Sequence, residues 1–393
     1  MKIKIIFALA LAVLIGACIN QKNRKENMDA NDKAIATATP DDMFLLVGTY
    51  TSDEGSKGIY VYKLNMETGK ADSLSMTEVI NPSYLVLSAD EKFVYSVSES
   101  DGGNSSASAF AFDKKKGVLT LLNWSSTESS GPCYIEIDKT GKSVLTANYG
   151  GGSISSFQVK DDGTLSPANM VINFEGSGPD TIRQKKSHLH SIRFSPDERF
   201  VFATDLGTDK VYRYNAIGSV FEGQPVLSQA SLKEFSTPAG AGPRHFDFHP
   251  NSKYFYVLGE LSGDVIVYDY DEGDLKQKQI IATDSVEGSR GSADIHVSPN
   301  GKFLYASNRL KDDGVAIFSI NPVDGTLTKV GYQPTRRHPR NFVISPNGKL
   351  LLVASRDDNI IQVFSIDNET GLLIDTNQDI FISKPVCLKF ANM

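Results

Sequence analysis

Tryptophan, histidine and cysteine are all scarce in this chain, whose 393 residues include one Trp, six His and three Cys. So few cysteines exclude a disulfide-rich scaffold, and no spacing of Cys and His matches a zinc site. Cys133 and Cys387 lie in apolar runs typical of strands, so we expect buried free thiols, although pairing in an oxidising compartment stays open. The net charge of −7 gives no general reason to expect a nucleic-acid partner. Apolar residues at helical spacing are hard to find after residue 40, which argues against a helical protein.

The N-terminal region has the pattern of an export signal. Residues 1–4 read MKIK, and residues 5–17 form an apolar run of 13, which is typical of a signal peptide and short for a membrane span. The run ends in Ile15-Gly16-Ala17-Cys18, which resembles the bacterial lipobox, although an ordinary secretory signal with an incidental cysteine is the alternative. We predict a signal peptide over residues 1–18, a lipid on Cys18, and an exported lipoprotein that touches the membrane only through this anchor. Residues 19–42 are polar without an apolar period, which predicts a flexible tether.

An internal repeat organises the rest of the chain. Each unit has an alternating apolar run, then a turn such as SPNGK or SPDER, then a second run rich in β-branched and aromatic residues, which is hairpin chemistry. The starts of the units are separated by 50, 57, 54, 49 and 47 residues. The aligned segments are NPSYLVLSADEKFVYSVSE (81–99), GPCYIEIDKTGKSVLTANY (131–149), HLHSIRFSPDERFVFATDL (188–206), GPRHFDFHPNSKYFYVLGE (242–260), GSADIHVSPNGKFLYASNR (291–309) and HPRNFVISPNGKLLLVASR (338–356).

A third alternating strand follows each pair, and a more variable fourth segment leads to the next unit. Four antiparallel strands in about 50 residues are typical of one blade of a β-propeller. Residues 44–52 look like a second strand without its first, and residues 384–391 like a first strand without its second. Together they complete a seventh blade and remove the exposed sheet edges. We therefore predict an all-β fold, a seven-bladed β-propeller closed by strands from both termini, as one domain over residues 43–393.

The repeat predicts which side chains meet. In a blade the first strand lies nearest the central axis and the second runs antiparallel to it, so the start of one and the end of the other lie at the same mouth of the channel. Such a cluster of titratable groups in a concave place predicts an active site, whereas the alternative is the polar, hydrated lining that propeller channels generally have. Unpaired charges are costly in a narrow cavity, which favours function. The converging residues are His188, His190, His245, His338, Arg244, Arg309, Arg340, Glu260 and Asp294.

These motifs together resemble the seven-bladed lactonase family, which includes bacterial propeller-type 6-phosphogluconolactonases and fungal carboxy-cis,cis-muconate lactonising enzymes. The resemblance covers about residues 43–391. The motif combination is specific, whereas the SPNG-type turns occur in many propellers. The matching elements are VGTYTS with GIYVYKL, HLHS, GPRH with the Glu of LGEL, SADIHVSPNGKFLYASNR and HPRNFVISPNGKLLLVASR.

The resemblance also implies site residues, and these are positions that the repeat had already brought to the mouth. The family's phosphogluconolactonases are cytosolic, whereas this chain is predicted to be exported, which leaves open whether the substrate carries a phosphate. By motif, the family's site residues fall on His188 and His190 of HLH, Arg244 of GPRH, Glu260 of GEL and Arg309 of SNR, while His338 and Arg340 have weaker family support.

The expected chemistry is hydrolysis of a sugar lactone without a metal or a cofactor. Glu260 or a neutral His190 is expected to act as general base on water, while Arg244 and Arg309 stabilise the oxyanion and bind an anionic group of the substrate. These four residues are the predicted catalytic set. The predicted substrate-binding set is His188, His245, Asp294, His338 and Arg340, with Asp294 expected to orient Arg or His rather than react.

Several alternatives stay open. Cyclisation of a muconate-type diacid, the reverse direction, would also need several arginines. A non-enzymatic propeller that binds carbohydrate or protein at the cell surface is possible because fold alone does not settle function. There is no G-x-S-x-G elbow to support Ser191 as a nucleophile. Residues 150–152 are Gly-Gly-Gly but no helix is expected after them, which argues against a dinucleotide cofactor. The expected partner is a small lactone or related acid, and a monomer is expected.

Overall fold

Strands dominate the structure because the repeated segments are rich in Val, Ile, Tyr and Phe and are separated by turn residues. The computed structural model describes residues 41–217, 226–286 and 291–393. In these ranges it contains 29 strands, two 3-10 helices and no α-helix. The predicted signal peptide, the lipidation site Cys18 and almost all of the predicted tether lie outside the described residues.

The strands form seven antiparallel sheets, which we number blades I to VII. Blades I to III follow one another from the N-terminal side. Blade I contains β29 (Pro385–Asn392), β1 (Asp42–Thr49), β2 (Gly58–Asn65) and β3 (Ala71–Glu78). Blade II contains β4 (Leu85–Leu87), β5 (Phe93–Ser98), β6 (Ser106–Asp113) and β7 (Val118–Ser126), with a 3-10 helix at Gly102–Asn104. Blade III contains β8 (Pro132–Ile137), β9 (Ser143–Asn148), β10 (Ser153–Gln158) and β11 (Met170–Asn173).

Blades IV to VII repeat this order. Blade IV contains β12 (Leu189–Phe194), β13 (Phe200–Asp205), β14 (Lys210–Ala216) and β15 (Leu227–Ser236). Blade V contains β16 (Pro243–Phe248), β17 (Tyr254–Gly259), β18 (Asp264–Asp271) and β19 (Asp274–Ala282). Blade VI contains β20 (Ile295–Val297), β21 (Phe303–Asn308), β22 (Gly314–Ile320) and β23 (Leu327–Pro334). Blade VII contains β24 (Pro339–Ile344), β25 (Leu350–Ser355), β26 (Ile360–Ile366) and β27 (Leu373–Asp375), with β28 (Ile380–Phe381) beside β26 and a 3-10 helix at Arg356–Asp358.

Strands from both ends of the chain close blade I. β29 pairs with β1 in an antiparallel register that sets Leu45 opposite Phe390 and Val47 opposite Leu388. The innermost strand of blade I is thus β29, the last strand of the chain, and the strand beside it is β1, the first strand of the chain. This confirms the predicted seven-bladed propeller closed by both termini, which leaves no open first or last blade for another chain to extend.

The turn between the first and second strands depends on a serine and an acceptor two residues later. In blade VI the Asn300 side chain accepts hydrogen bonds from the Ser298 hydroxyl at 2.7 Å and from the Lys302 amide at 2.9 Å. Gly301, which lies between Asn300 and Lys302, has a φ of 71°. Glu198 occupies the equivalent position of blade IV and has a φ of 56°. The S-P-N-G and S-P-D-E sequences therefore specify the same turn.

The hydrophobic core lies between neighbouring blades. Phe44 of blade I meets Phe112 of blade II edge-on, with ring centroids 5.1 Å apart. Burying one such side chain contributes about 1.5–3 kcal/mol, so the repeated inter-sheet contacts fix the blades around the channel. Cys133 and Cys387 are buried and free, as expected. Among the described residues, no helix has the length and apolar character needed to cross a membrane.

Candidate active site

The candidate site lies where first strands begin and second strands end. β16 begins at Pro243, so Arg244 is near its start, and Glu260 directly follows β17. Pro243 pairs with Gly259 across these two strands, which brings Arg244 and Glu260 together although 16 residues separate them. The antiparallel hairpin of blade V thus supplies the centre of the site, and the neighbouring blades IV and VI supply the groups around it.

Glu260 is the common partner of three arginines. Its Oε2 atom accepts a hydrogen bond from Nε of Arg244 at 2.9 Å and lies 3.3 Å from Nη2 of Arg309. Its Oε1 atom accepts a hydrogen bond from Nη2 of Arg183 at 2.7 Å. Burial raises the pKa of Glu260, but Arg309, Arg244 and Arg183 together outweigh burial and lower it to about 2. Glu260 is therefore ionised at neutral pH and is a weak base.

Backbone carbonyl groups hold the two deepest arginines in place. Nη1 of Arg244 donates to the carbonyl oxygen of Ala293, and Nε of Arg309 donates to that of Gly291 at 2.6 Å. Burial lowers the pKa of both guanidinium groups, and that of Arg309 to about 9, so Arg309 stays cationic at neutral pH. Fixed guanidinium groups in a buried site are suited to stabilise a negative charge that develops during a reaction.

His190 is a buried, neutral imidazole beside this cluster. Its Nε2 atom lies 3.9 Å from Oε2 of Glu260, and its Nδ1 atom lies 3.7 Å from the sulfur of Cys133. Burial, followed by the charges of Arg244 and other cations, holds the pKa of His190 well below its usual range. A neutral imidazole keeps a lone pair that can accept a proton from water, whereas both carboxylate oxygens of Glu260 are already engaged by arginines.

His245 is held in one tautomer by Asp294. Nδ1 of His245 donates to Oδ1 of Asp294 at 2.7 Å, because an ionised carboxylate only accepts. Nε2 is then left to accept from Nη1 of Arg244 at 3.2 Å. Burial raises the pKa of Asp294, but His296 and His245 lower it well below its usual range, so the carboxylate stays ionised. Asp294 therefore orients a histidine, and through it an arginine.

His338 bridges two arginines on the blade VII side of the mouth. Its Nε2 atom lies 3.3 Å from Nη1 of Arg309, and its Nδ1 atom lies 3.3 Å from Nη2 of Arg356. Burial and then these two charges lower the pKa of His338 to about 3. Its backbone has a φ of 62°, which is uncommon for a residue with a side chain.

The two remaining predicted residues lie at the edges of the cluster. His188 stacks on Tyr149, with ring centroids 4.3 Å apart, and its Nδ1 atom lies 2.9 Å from the Tyr149 carbonyl oxygen. Arg340 lies 3.7 Å from Glu99 and over the ring of Tyr50 at 5.2 Å. Tyr50 and Glu99 form a second polar group at the mouth, joined by a hydrogen bond of 2.8 Å.

Sequence reasoning missed Arg183. This residue lies between β11 and β12, outside every repeated segment, yet it reaches both Glu260 and the hydroxyl of Tyr149, the latter at 3.2 Å. Its side chain is 39% exposed, whereas those of Arg244 and Arg309 are 2% and 6% exposed. The available signal was the basic run of Arg183, Lys185 and Lys186 just before HLHS.

The nine predicted mouth residues thus all lie at one end of the channel. Eight of them, all but Arg340, belong to a single cluster of hydrogen bonds and close ring contacts. Glu260 and Arg244 are at the centre of this cluster, and Tyr149 adjoins it. Five guanidinium groups, three of them on Glu260, make the mouth suited to an anionic ligand. Within residues 41–217, 226–286 and 291–393, no group of three or more His, Cys, Asp or Glu residues is placed to hold a metal ion.

Known proteins share this whole architecture. A family model for the seven-bladed β-propeller lactonases matches residues 44–390. A 6-phosphogluconolactonase of Formosa agariphila is 38% identical over 344 residues, which cover 86% of this chain and 97% of that protein. A 6-phosphogluconolactonase of Bacillus subtilis is 35% identical over 351 residues, covering 88% of this chain and 97% of that protein.

Solved structures are similar over the same range. A periplasmic gluconolactonase of Pseudomonas aeruginosa superposes with a TM-score of 0.81 and 31% identity, covering 89% of this chain and 99% of that one. A Bacteroides fragilis protein described as a candidate 6-phosphogluconolactonase superposes with a TM-score of 0.87 and 50% identity, covering 91% and 99%. The propeller fold, the motifs at its mouth and the similarity to these proteins all indicate the same family. This chain belongs to the seven-bladed β-propeller lactonase family.

Proposed function

We propose that this protein hydrolyses a sugar lactone at the mouth of the propeller, with 6-phosphogluconolactone as its substrate. The observation that carries the proposal is the arrangement of Glu260 between three arginines, with neutral His190 3.9 Å away. Relatives named 6-phosphogluconolactonase that match almost their whole length support the lactone chemistry.

In the proposed reaction His190 is the general base. It takes a proton from water as the water oxygen adds to the lactone carbonyl carbon, and Arg244 and Arg309 stabilise the oxyanion. The bond between that carbon and the ring oxygen then breaks, and protonated His190 returns its proton to the ring oxygen. The product is a hydroxy acid, whose ionisation at neutral pH releases one proton to the solvent.

Glu260 has a positioning role in this scheme. Its pKa of about 2 makes it a poor base, but its carboxylate fixes Arg244 and Arg309 at the geometry that an oxyanion needs. The sequence left His190 and Glu260 as alternative bases, and the arginines on both oxygens of Glu260 favour His190. The anionic group of the substrate is expected to bind Arg183 and Arg340, which are more exposed than Arg244 and Arg309.

The test is proton release by the purified protein with 6-phosphogluconolactone and with gluconolactone, corrected for spontaneous opening in buffer. The wild type should accelerate opening, and His190→Ala and Glu260→Gln should each lower kcat/KM at least about 100-fold. Glu272→Gln, an exposed carboxylate on blade V, is the matched control and should change nothing. Rates no higher than buffer on both lactones would exclude lactonase activity on these sugars.

A second candidate concerns the substrate's phosphate. The Pseudomonas aeruginosa relative is a periplasmic gluconolactonase, and export is also the prediction for this chain. The preferred lactone in the assay above decides between the two substrates. Two other possibilities, cyclisation of a muconate-type diacid and a non-enzymatic binding role, predict no acceleration of either lactone.

We propose export and lipid anchoring as the localisation. The basis is the lipobox-like run ending in Cys18, and the test is mass spectrometry of the N-terminal residue of the wild type and of Cys18→Ala, each isolated from expressing cells. The wild type is expected to begin at Cys18 with the added mass of a lipid, which the variant should lack. A wild type without that added mass would exclude the anchor.

A further inference from the structure

A second pocket lies away from the mouth, between the outer parts of blades I and II. Its cavity volume is about 250 Å³, and none of the predicted site residues lines it. Apolar contacts come from Ile80, Leu121 and Trp124, and polar ones from Asn104 and three serines. Ligand pockets usually measure about 300–1,000 Å³, so this pocket is small and has the size for a single ring, with any further ring outside it.

The three serines are buried, yet they lack protein partners. Ser98, Ser106 and Ser108 are 4%, 6% and 3% exposed, and none of their hydroxyl groups forms a hydrogen bond with any residue in the described part of the chain. Ser98 lies opposite Ser106 in the sheet, so the hydroxyl groups come from adjacent strands. Their Oγ atoms are not among the fully buried, unpaired polar atoms of the described residues, so these hydroxyl groups face the pocket and are open to solvent or to a ligand.

Trp124 forms an exposed aromatic wall beside these serines. It is the only tryptophan of the chain, it lies opposite Ser108 across β6 and β7, and it is 61% exposed. Ile80 and Leu121 beside the pocket are 55% and 46% exposed. Large apolar side chains grouped at a surface, with polar groups among them, mark binding sites.

From these features we propose that the pocket is a binding site for a neutral carbohydrate. A sugar ring presents hydroxyl groups that can pair with the three serines and Asn104, and its C–H face can cover the indole of Trp124. A purely apolar ligand would leave the serine hydroxyl groups unpaired, which is costly. The only charged lining residue is Glu78, which disfavours anionic sugars. The pocket thus favours a neutral ligand, whereas the arginine-rich mouth favours an anionic one.

The single tryptophan makes the test direct, because indole fluorescence then reports on this pocket alone. The full-length protein is titrated with cellobiose, maltose and diacetylchitobiose, with 6-phosphogluconate as the anionic comparison. At least one neutral sugar should change Trp124 fluorescence in a saturable way. The double variant Ser106→Ala and Ser108→Ala should bind that sugar at least tenfold more weakly. Alanine removes only the hydroxyl group and adds no volume, so the sheet should persist and the pocket should stay open.

Further variants separate the pocket from the rest of the molecule. Trp124→Ala, followed by calorimetry, should abolish sugar binding and leave lactone hydrolysis unchanged. Phe381→Ala removes an exposed ring that is 79% accessible on blade VII and should leave binding unchanged. The proposal is overturned if no neutral sugar binds, if the serine variants bind with unchanged affinity, or if only 6-phosphogluconate binds. It is also overturned if the wild type is a dimer that Trp124→Ala converts to a monomer, since the patch is then a self-interface.

Discussion

Arg183 donates a hydrogen bond of 2.7 Å to Glu260, although the two residues are 77 positions apart and Arg183 lies outside the repeated segments. Arg244 and Arg309 hold the other oxygen of the same carboxylate. The difference between the arginines is exposure, because Arg183 is the one on Glu260 that solvent reaches readily. An incoming anion can therefore bind Arg183 without displacing the two deeper groups.

This difference predicts a binding effect for Arg183→Ala. A charge-assisted hydrogen bond to the substrate contributes about 1.5–3 kcal/mol, so KM for an anionic lactone should rise about tenfold or more. The turnover number should change less, because Arg244 and Arg309 remain at the reacting carbonyl. Steady-state kinetics on both lactones measures the two effects, and Lys185→Ala on the same segment is the control. A large loss of kcat with unchanged KM would contradict this role.

Glu260 should also make the fold sensitive to acid. Its pKa of about 2 lies below the ordinary value of 4.5, so its ionisation stabilises the folded state above about pH 4.5. That stabilisation is lost as the pH falls from 4.5 towards 2, and the shift corresponds to about 3 kcal/mol. Urea unfolding of the wild type and Glu260→Gln should therefore differ most at pH 6–7 and progressively less at pH 4 and 3. A difference independent of pH would show that the carboxylate charge contributes nothing.

His190 predicts the pH dependence of the reaction. Its pKa is held well below the usual 6.5 by burial and by neighbouring cations, so the neutral fraction of the imidazole should not rise around pH 6.5. After subtraction of spontaneous opening, kcat/KM should be nearly flat between pH 5.5 and 7.5. A rise of kcat/KM with a midpoint near pH 6.5 would mean that the catalytic base titrates like an ordinary histidine. That result would contradict the role of the buried His190 as the base.

The repeat allowed much of this site to be predicted from sequence. Arg244 and Glu260 occupy the start of a first strand and the end of a second strand, and any antiparallel blade brings such positions together. Arg183 could not be found in this way because its segment belongs to no strand, and its position depends on how the chain between β11 and β12 packs over the mouth. The choice between His190 and Glu260 as base was equally out of reach, since it depends on burial and on distances between charges.

The motifs do not show which residues of neighbouring blades Asp294 contacts. Asp294 was expected to orient Arg or His, and its carboxylate contacts both His245 and His296 and the backbone amide of Phe342 in the next blade. The aspartate thus links blades V, VI and VII below the mouth. Its ring position was readable from the alignment, whereas this set of partners follows only from the distances between blades.

Substitutions of His338 can separate the cost of its backbone conformation from the role of its imidazole. Its φ of 62° is readily adopted by glycine and costs other residues about 1 kcal/mol. His338→Gly should therefore be more stable than His338→Ala by about 1 kcal/mol, although both lose the contact with Arg309. Urea unfolding at pH 7 measures the difference, and Gly242→Ala, at the aligned position of blade V with a φ of 59°, should show a loss of stability of the same sign. If the alanine and glycine variants of His338 are equally stable, the backbone is not held in this conformation; if both variants also keep full lactonase activity, the imidazole has no part in positioning Arg309.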